Sequence, residues 1–250
     1  MLEPYVKLEI KNQIGYIEFF HPEHNAMPSD NLKKLENTIV EAGIKDAIKV
    51  IVLKSGGDRT FCAGASFKEL IAIDDAEKGK QFFSGFANVI NAMRKCPKLI
   101  IARVQGKAVG GGVGLVAAAD YCLATKYASI KISELSIGIG PFVIEPVVSK
   151  KMGQTTMTQM TINAEQFYTA EFAKDKGLYA DVFDSVDALD EAVKALAQKL
   201  ASYNPEALKE IKNVFWQDTG YWDNLLIERA EISGKLVLSE FTKETLKRFR

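Results

Sequence analysis

Two glycine-containing stretches decide the fold: residues 61–70 read Phe61-Cys-Ala-Gly-Ala-Ser-Phe-Lys-Glu-Leu70, and residues 106–114 read Gly106-Lys-Ala-Val-Gly-Gly-Gly-Val-Gly114. Each lies between an apolar run that predicts a strand and a segment that predicts a helix. Adjacent glycines let backbone N–H groups approach a ligand, and a helix N-terminus adds unpaired donors with partial positive charge. Two such loops together would form an oxyanion hole, although glycines there also permit tight packing of a helix against a strand.

The segments around these loops predict an α/β protein. Two runs within residues 6–20 predict a hairpin, and short apolar runs at 50–53 and 99–104 are typical of strands covered on both faces. Ser66 is expected to cap a helix after the first loop, and the segment of residues 106–114 is expected to open a helix of small residues, Leu115 to Ala119. Beyond Phe142 the pattern is almost entirely helical.

Composition excludes several classes of function. Basic and acidic residues number 32 each, giving a formal net charge of zero, and no basic stripe is present, so nucleic-acid binding is not expected. The chain lacks a secretory signal and any apolar run near the roughly 18 residues of a membrane helix, so we expect a cytoplasmic protein without a membrane partner. Cys62, Cys96 and Cys122 fit no zinc spacing and are expected to be reduced thiols in the core.

The two histidines, His21 and His24, lie in a proline-flanked segment that predicts a surface loop. No metal site is therefore expected, and the chemistry must use carboxylates, backbone groups, hydroxyls or lysine.

Two glutamates are candidate acid–base groups. Glu134 follows a short predicted strand in an otherwise apolar stretch, where burial should raise a carboxyl pKa toward neutrality and suit it to proton transfer. Glu145 stands in Gly140-Pro-Phe-Val-Ile-Glu-Pro146 at a predicted helix start. The alternatives are a capping role for Glu134 and, for Glu145, a first-turn position favoured by the helix dipole.

Several motifs, taken in order, resemble the enoyl-CoA hydratase/isomerase (crotonase) superfamily. They are Asn25-Ala26, Ala63-Gly64-Ala65 with Lys68-Glu-Leu70, Gly106 with Gly110-Gly-Gly112 and Asp120, Ser133-Glu-Leu-Ser-Ile-Gly138, and the segment from Ala170 to Leu178. The resemblance implies a crotonase-like spiral of ββα turns over residues 1–190. It also implies a C-terminal helical region over residues 191–250 that covers CoA and forms a homotrimer or a dimer of trimers.

The resemblance implies roles for individual residues. The N–H groups of Ala65 and Gly111 would form an oxyanion hole around the thioester carbonyl, and Ala63 would contact the adenine of CoA through its backbone. Lys68 could lie near the pantetheine or phosphates, or be a solvated helix lysine. The candidates to meet CoA phosphates from the tail are Lys235, Lys243, Lys247 and Arg248.

Hydratase members place two glutamates around the substrate double bond. The second position matches Glu134, whereas the first is Gly114 and carries no carboxylate. We expect an enzyme that adds water to a 2-enoyl-CoA, including a branched one such as methylglutaconyl-CoA, through an enolate, with Glu145 as a candidate second acid. The alternatives are a double-bond isomerase using one glutamate, an acyl-CoA decarboxylase, and a non-catalytic CoA-thioester-binding protein. The CoA thioester is the substrate, and no cofactor is expected.

Overall fold

The computed structural model describes residues 3–247, which form a mixed α/β architecture. The strands of the described part are β1 (Tyr5–Lys11), β2 (Ile14–Phe20), β3 (Val50–Ser55), β4 (Thr60–Cys62), β5 (Ile100–Val104), β6 (Lys107–Val109), β7 (Tyr121–Thr125), β8 (Ile130–Lys131) and β9 (Asp181–Phe183). The hairpin and the buried strands are where the sequence predicts them. The short strand β6 is not predicted from the sequence; it lies within the segment of residues 106–114 that is expected to open a helix.

Helices dominate the second half of the chain, as predicted. They are α1 (Ser29–Ile44), α2 (Phe67–Ile71), α3 (Ala76–Lys95), α4 (Gly111–Ala118), α5 (Glu145–Met152), α6 (Gln154–Ile162), α7 (Ala170–Asp175), α8 (Val186–Ala201), α9 (Pro205–Trp216), α10 (Trp222–Leu236) and α11 (Glu240–Leu246). Short 3-10 helices cover Glu134–Ile137 and Gln217–Thr219. Within residues 3–247, no helix combines the length and apolar character needed to cross a membrane.

The strands form two sheets that the chain visits in turn. The larger sheet has the order β1-β2-β3-β5-β7-β9, and the smaller has the order β4-β6-β8. Three successive units have the same order: one strand in the larger sheet, one strand in the smaller sheet, and then a helix. They are β3-β4-α2, β5-β6-α4, and β7-β8 with its 3-10 helix. This is the predicted spiral of ββα turns, and it brings both glycine loops and Glu134 to the ends of the smaller sheet's strands.

The central strands of the larger sheet, β3, β5 and β7, are almost entirely buried, which explains their continuous apolar sequences. From β3, Ile51 and Leu53 join the main core, whereas Val50 and Val52 pack under α8 with Leu189. Helix α8 spans residues 190 and 191, where the sequence predicts the boundary between the spiral core and the C-terminal helical region. The division of the chain into these two regions stays a prediction. The three cysteines are free and buried in the core, as expected.

A buried ion pair attaches α9 to the sheet. The Asp120 carboxylate accepts hydrogen bonds from the Ile100 N–H (2.7 Å), the Lys212 ammonium group (2.9 Å) and the Trp216 indole N–H (2.8 Å). The Lys212 and Asp120 side chains are only 2% and 4% exposed. Asp120, one of the residues quoted for the family resemblance, therefore acts as a structural clamp.

A close glycine contact seats α10 against α3. A β-carbon on Gly79 would stand 2.7 Å from the Gly234 Cα atom, so the two backbones approach more closely than any larger residue would allow. The contact brings Ser233 of α10 into the cavity described below. The C-terminal helical region thus contributes to the site of its own chain.

Candidate active site

The two glycine loops meet at the ends of β4 and β6. Gly64 and Gly110 have φ angles of +90° and +52°, a region that disfavours larger residues. A β-carbon on Gly64 would stand 3.0 Å from the Val109 carbonyl oxygen and 3.7 Å from the Gly111 nitrogen. Both the backbone conformation and the close approach therefore explain why glycine stands here.

The meeting of the loops leaves two backbone donors at a cavity. Neither the Ala65 N–H nor the Gly111 N–H donates a hydrogen bond to another group in the described part of the chain. Both residues line the same cavity, and Gly111 begins α4, where an N–H group has no partner within its helix. This arrangement supports the predicted oxyanion hole, which stays a prediction.

Glu134 places a carboxyl group beside these donors. It begins the 3-10 helix after β8, and its Oε1 atom lies 2.8 Å from where a β-carbon on Gly110 would stand. Its Oε2 atom is buried without a hydrogen-bond partner. Burial raises the pKa of Glu134 to about 7, although backbone N–H groups nearby, including that of Ser133, lower it in part. The side chain is thus poised to gain or lose a proton near neutral pH.

The cavity around Glu134 has a volume of about 80 Å³ and is mainly apolar. Its polar side chains are those of Ser133, Glu134 and Ser233. The rest of the lining comes from glycines and from Ala63, Ala65, Phe67, Leu70, Phe83, Phe86, Val109, Ile137, Ile139, Pro141, Phe142, Val143 and Ile144. The low polarity of this wall accounts for the raised pKa.

The side chain of Ile144 fills the space that a carboxylate side chain at residue 114 would occupy. A β-carbon on Gly114 would lie 2.4 Å from the Ile144 Cγ2 atom and 3.6 Å from the Ile90 Cδ1 atom. Ile144 is only 3% exposed and lines the cavity. Any side chain at residue 114 would therefore require Ile144 to move.

Of the remaining predicted site residues that the structure describes, only Ala63 lines the cavity around Glu134. Glu145 is half-buried, accepts a hydrogen bond from the Ser149 hydroxyl (2.9 Å), and lines a neighbouring groove. Lys68 is exposed and does not line the cavity, whereas Ala63 does. Ser66 caps α2 by accepting from the Glu69 N–H, as predicted.

The predicted tail lysines and the histidines are not among the residues that line the cavity. Lys235 pairs with Glu231 at 2.8 Å, and Lys247 pairs with Glu244. Arg248 lies outside the described residues. His21 and His24 occupy the predicted turn-like segment.

Three features of the cavity are absent from the sequence prediction: Ser233, the aromatic wall from α3, and the pairing of Ile144 with Gly114. Phe83 and Phe86 belong to an amphipathic helix whose apolar pattern alone does not separate core from cavity positions. Isolated glycines within helical patterns, at residues 79 and 234, were the signal for the close helix contact that places Ser233.

Residues 9–248 match the model of a family described as enoyl-CoA hydratase/isomerase. A similar curated protein, the peroxisomal Delta(3,5)-Delta(2,4)-dienoyl-CoA isomerase of Arabidopsis thaliana, is 28% identical over 232 residues, which cover 85% of this chain and 82% of the relative. A probable enoyl-CoA hydratase of Bacillus subtilis (strain 168) is 26% identical over an alignment of 251 positions, which covers 98% of this chain and 95% of the relative.

The fold matches solved structures over almost its whole length. The enoyl-CoA hydratase from Bacillus halodurans superposes with a TM-score of 0.90 at 20% identity, covering 98% of this chain and 99% of that chain. Likeness at this identity concerns the fold alone, and it confirms the predicted crotonase-like architecture.

Proposed function

We propose, on the premise that the chain belongs to the enoyl-CoA hydratase/isomerase family, that this enzyme shifts a double bond in an acyl-CoA thioester using Glu134 as its one acid–base group. The observation that carries this proposal is the buried carboxyl group of Glu134, with one oxygen unpartnered and a pKa of about 7, at an apolar cavity with two unpaired N–H groups.

The two backbone donors would stabilise negative charge on the thioester oxygen. The N–H groups of Ala65 and Gly111 line the cavity and lack other acceptors in the described part of the chain. A preorganised donor of this kind contributes about 3–4 kcal/mol to lowering a barrier in a site that excludes water. Enolate formation at a thioester is the chemistry that such a pair supports.

Glu134 would then carry the proton. Its ionised form takes a proton from the acyl chain, the C–H electron pair moves into the enolate, and the same carboxyl returns the proton to another carbon. A group with a pKa near the working pH serves both steps well. One carboxyl group is sufficient because nothing is added to the substrate.

Ile144 favours isomerisation over the hydration expected from the sequence. Its side chain fills the space beside Gly114, where a hydratase of this family places its first glutamate. The cavity there offers no second carboxylate among the described residues that line it.

Hydration of a 2-enoyl-CoA, including a branched one such as methylglutaconyl-CoA, is the second candidate. Glu145 favours it, because its groove shares Pro141 and Phe142 with the cavity around Glu134. A movement of these two residues would give the Glu145 carboxylate access to a water beside the substrate.

CoA binding would involve the first glycine loop and the helix after it. Ala63 lines the cavity near the loop junction and would hold CoA through its backbone, with Lys68 near the pantetheine or phosphates.

Exposed apolar side chains on α9, namely those of Ile211, Val214 and Phe215, support an assembly such as a homotrimer or a dimer of trimers. The site of action would be the cytoplasm.

The test is incubation with crotonyl-CoA, 3-hexenoyl-CoA and 3-methylglutaconyl-CoA in D₂O, followed by mass spectrometry. We expect a double-bond shift or deuterium incorporation without added water, and Glu145→Gln should behave like the wild type. Added water that disappears in Glu145→Gln would establish the second candidate instead. Unchanged substrates would point to a decarboxylase or a non-catalytic thioester-binding protein.

A further inference from the structure

Glu134 and Ile144 occupy neighbouring places at the start of α4. The Gly114 N–H donates to the Gly110 carbonyl oxygen at 3.3 Å, so the two glycines stand one helical turn apart. The Glu134 carboxylate lies against Gly110, and the Ile144 side chain lies against Gly114. An acid–base group and a branched apolar group are therefore set side by side along the first turn of the helix.

Ile144 is firmly held in this place. It is 3% exposed, belongs to the main hydrophobic core, and approaches α4 at the position of the missing side chain. The Ile90 Cδ1 atom of α3 lies 3.6 Å from the same position. Because the surrounding side chains are packed, Ile144 cannot leave without opening a cavity beside Glu134.

A water molecule next to Ile144 would lack side-chain partners. A bound water needs two to four polar partners, and the lining residues that precede Ile144 in the chain, Pro141, Phe142 and Val143, have apolar side chains. The polar side chains that line the cavity are those of Ser133, Glu134 and Ser233, and Glu134 is already required for the proton.

We infer that Ile144 determines the outcome of the reaction by excluding water from the acyl chain beside Glu134. The inference rests on the proposed function. In isomerisation, Glu134 removes a proton from one carbon and returns it to another, and no atom is gained. Hydration would require a water oxygen to bond to Cβ while a proton is delivered to Cα. The Ile144 side chain fills the space in which that water would have to be bound.

The experiment compares Ile144→Ala, Ile144→Val and the wild type with 3-hexenoyl-CoA and crotonyl-CoA in H₂¹⁸O. Ile139→Ala is the matched control, because Ile139 is also 3% exposed and lines the same cavity without contacting Gly114. The readout is the ratio of ¹⁸O-labelled hydrated product to isomerised product. A thermal melt of each variant establishes that it is folded.

We expect the ratio to rise at least about tenfold in Ile144→Ala, less in Ile144→Val, and not in Ile139→Ala. The double variant Gly114→Glu/Ile144→Ala should hydrate faster than either single variant, because the carboxylate enters the vacated volume. Ile144→Val keeps the inference testable if the larger truncation prevents folding.

The outcomes separate the inference from the proposed function. If the wild type isomerises but the Ile144 variants keep its product ratio, the inference is wrong and the proposed function stands. If the wild type hydrates crotonyl-CoA with Ile144 in place, water is not excluded and the inference is wrong. A folded wild type that neither isomerises, exchanges nor hydrates any thioester overturns the proposed function and the inference with it.

Discussion

The Oε1 atom of Glu134 lies 2.8 Å from the point where a β-carbon on Gly110 would stand. The absence of that carbon lets the carboxylate reach the junction of the two glycine loops, beside the Ala65 and Gly111 N–H groups. Gly110 therefore sets the position of the proposed acid–base group as well as the turn of its own loop.

Gly110→Ala should lower kcat/KM by about 100-fold or more, since displacement of a general acid–base group removes a contribution of that size. The control is Gly57→Ala: Gly57 also has a positive φ angle (+78°), but a β-carbon there would meet nothing within 4 Å. Both substitutions introduce backbone strain, but only Gly110→Ala would also displace Glu134. Steady-state kinetics of the two variants should therefore separate the effect of strain from the effect of displacing Glu134. Equal effects of the two substitutions would contradict the assigned role.

The pH dependence of catalysis should report the titration of Glu134. Burial raises the pKa of this group to about 7, and the proton is taken by the ionised form, so kcat/KM should rise with pH and level off above a midpoint near 7. Initial rates of isomerisation between pH 5 and 9 check this. A midpoint near the ordinary carboxyl value would mean that a solvated group carries the proton.

The same pKa predicts how stability changes with pH. The folded state holds the Glu134 proton up to a pKa of about 7, whereas the ordinary pKa of an exposed glutamate is 4.5. The folded state therefore binds more protons between these values, and its free energy of unfolding should fall as pH rises through this window. The cost of the buried charge is on the order of 3 kcal/mol above pH 7.

Glu134→Gln should relieve that cost. Its melting temperature should exceed that of the wild type more at pH 8 than at pH 5, as measured by calorimetry. Glu165→Gln is the control, because Glu165 is exposed and its substitution removes no buried carboxyl group. A constant difference for Glu134→Gln would show that the folded pKa is not raised.

Lys212→Met should destabilise the fold by about 3–5 kcal/mol, because it leaves the buried Asp120 carboxylate without its counter-charge. Denaturant titration gives this value, and Lys209→Met on the exposed face of the same helix is the control. The folded fraction should keep its kcat/KM, since neither member of the pair lines the cavity. A loss of activity without a loss of stability would indicate a direct catalytic role.

Local patterns in the sequence predict much of this site. The positions of both loops follow from glycines between strand-forming and helix-forming segments, and the raised pKa of Glu134 follows from its apolar neighbours. Strands β6 and β9 have three residues each, too few for a periodic pattern to develop. Such short strands are defined by their partners in the sheet.

Contacts between distant segments account for the features that the sequence does not predict. The absence of a carboxylate at Gly114 is evident from the family resemblance, but the side chain that fills its place belongs to a later segment of the chain. Ser233 reaches the cavity only because Gly79 and Gly234 allow α3 and α10 to touch. In both cases the decisive quantity is the space left by an absent side chain, which depends on tertiary packing.

The proposed role of Glu134 is tested most directly by the rates of double-bond shift and deuterium exchange of 3-hexenoyl-CoA in D₂O, measured for the wild type and Glu134→Gln. We expect the Glu134→Gln variant to bind the thioester with an affinity similar to that of the wild type but to lose at least about 100-fold in both rates. If Glu134→Gln keeps a rate near that of the wild type, Glu134 does not move the proton and the proposed mechanism is wrong.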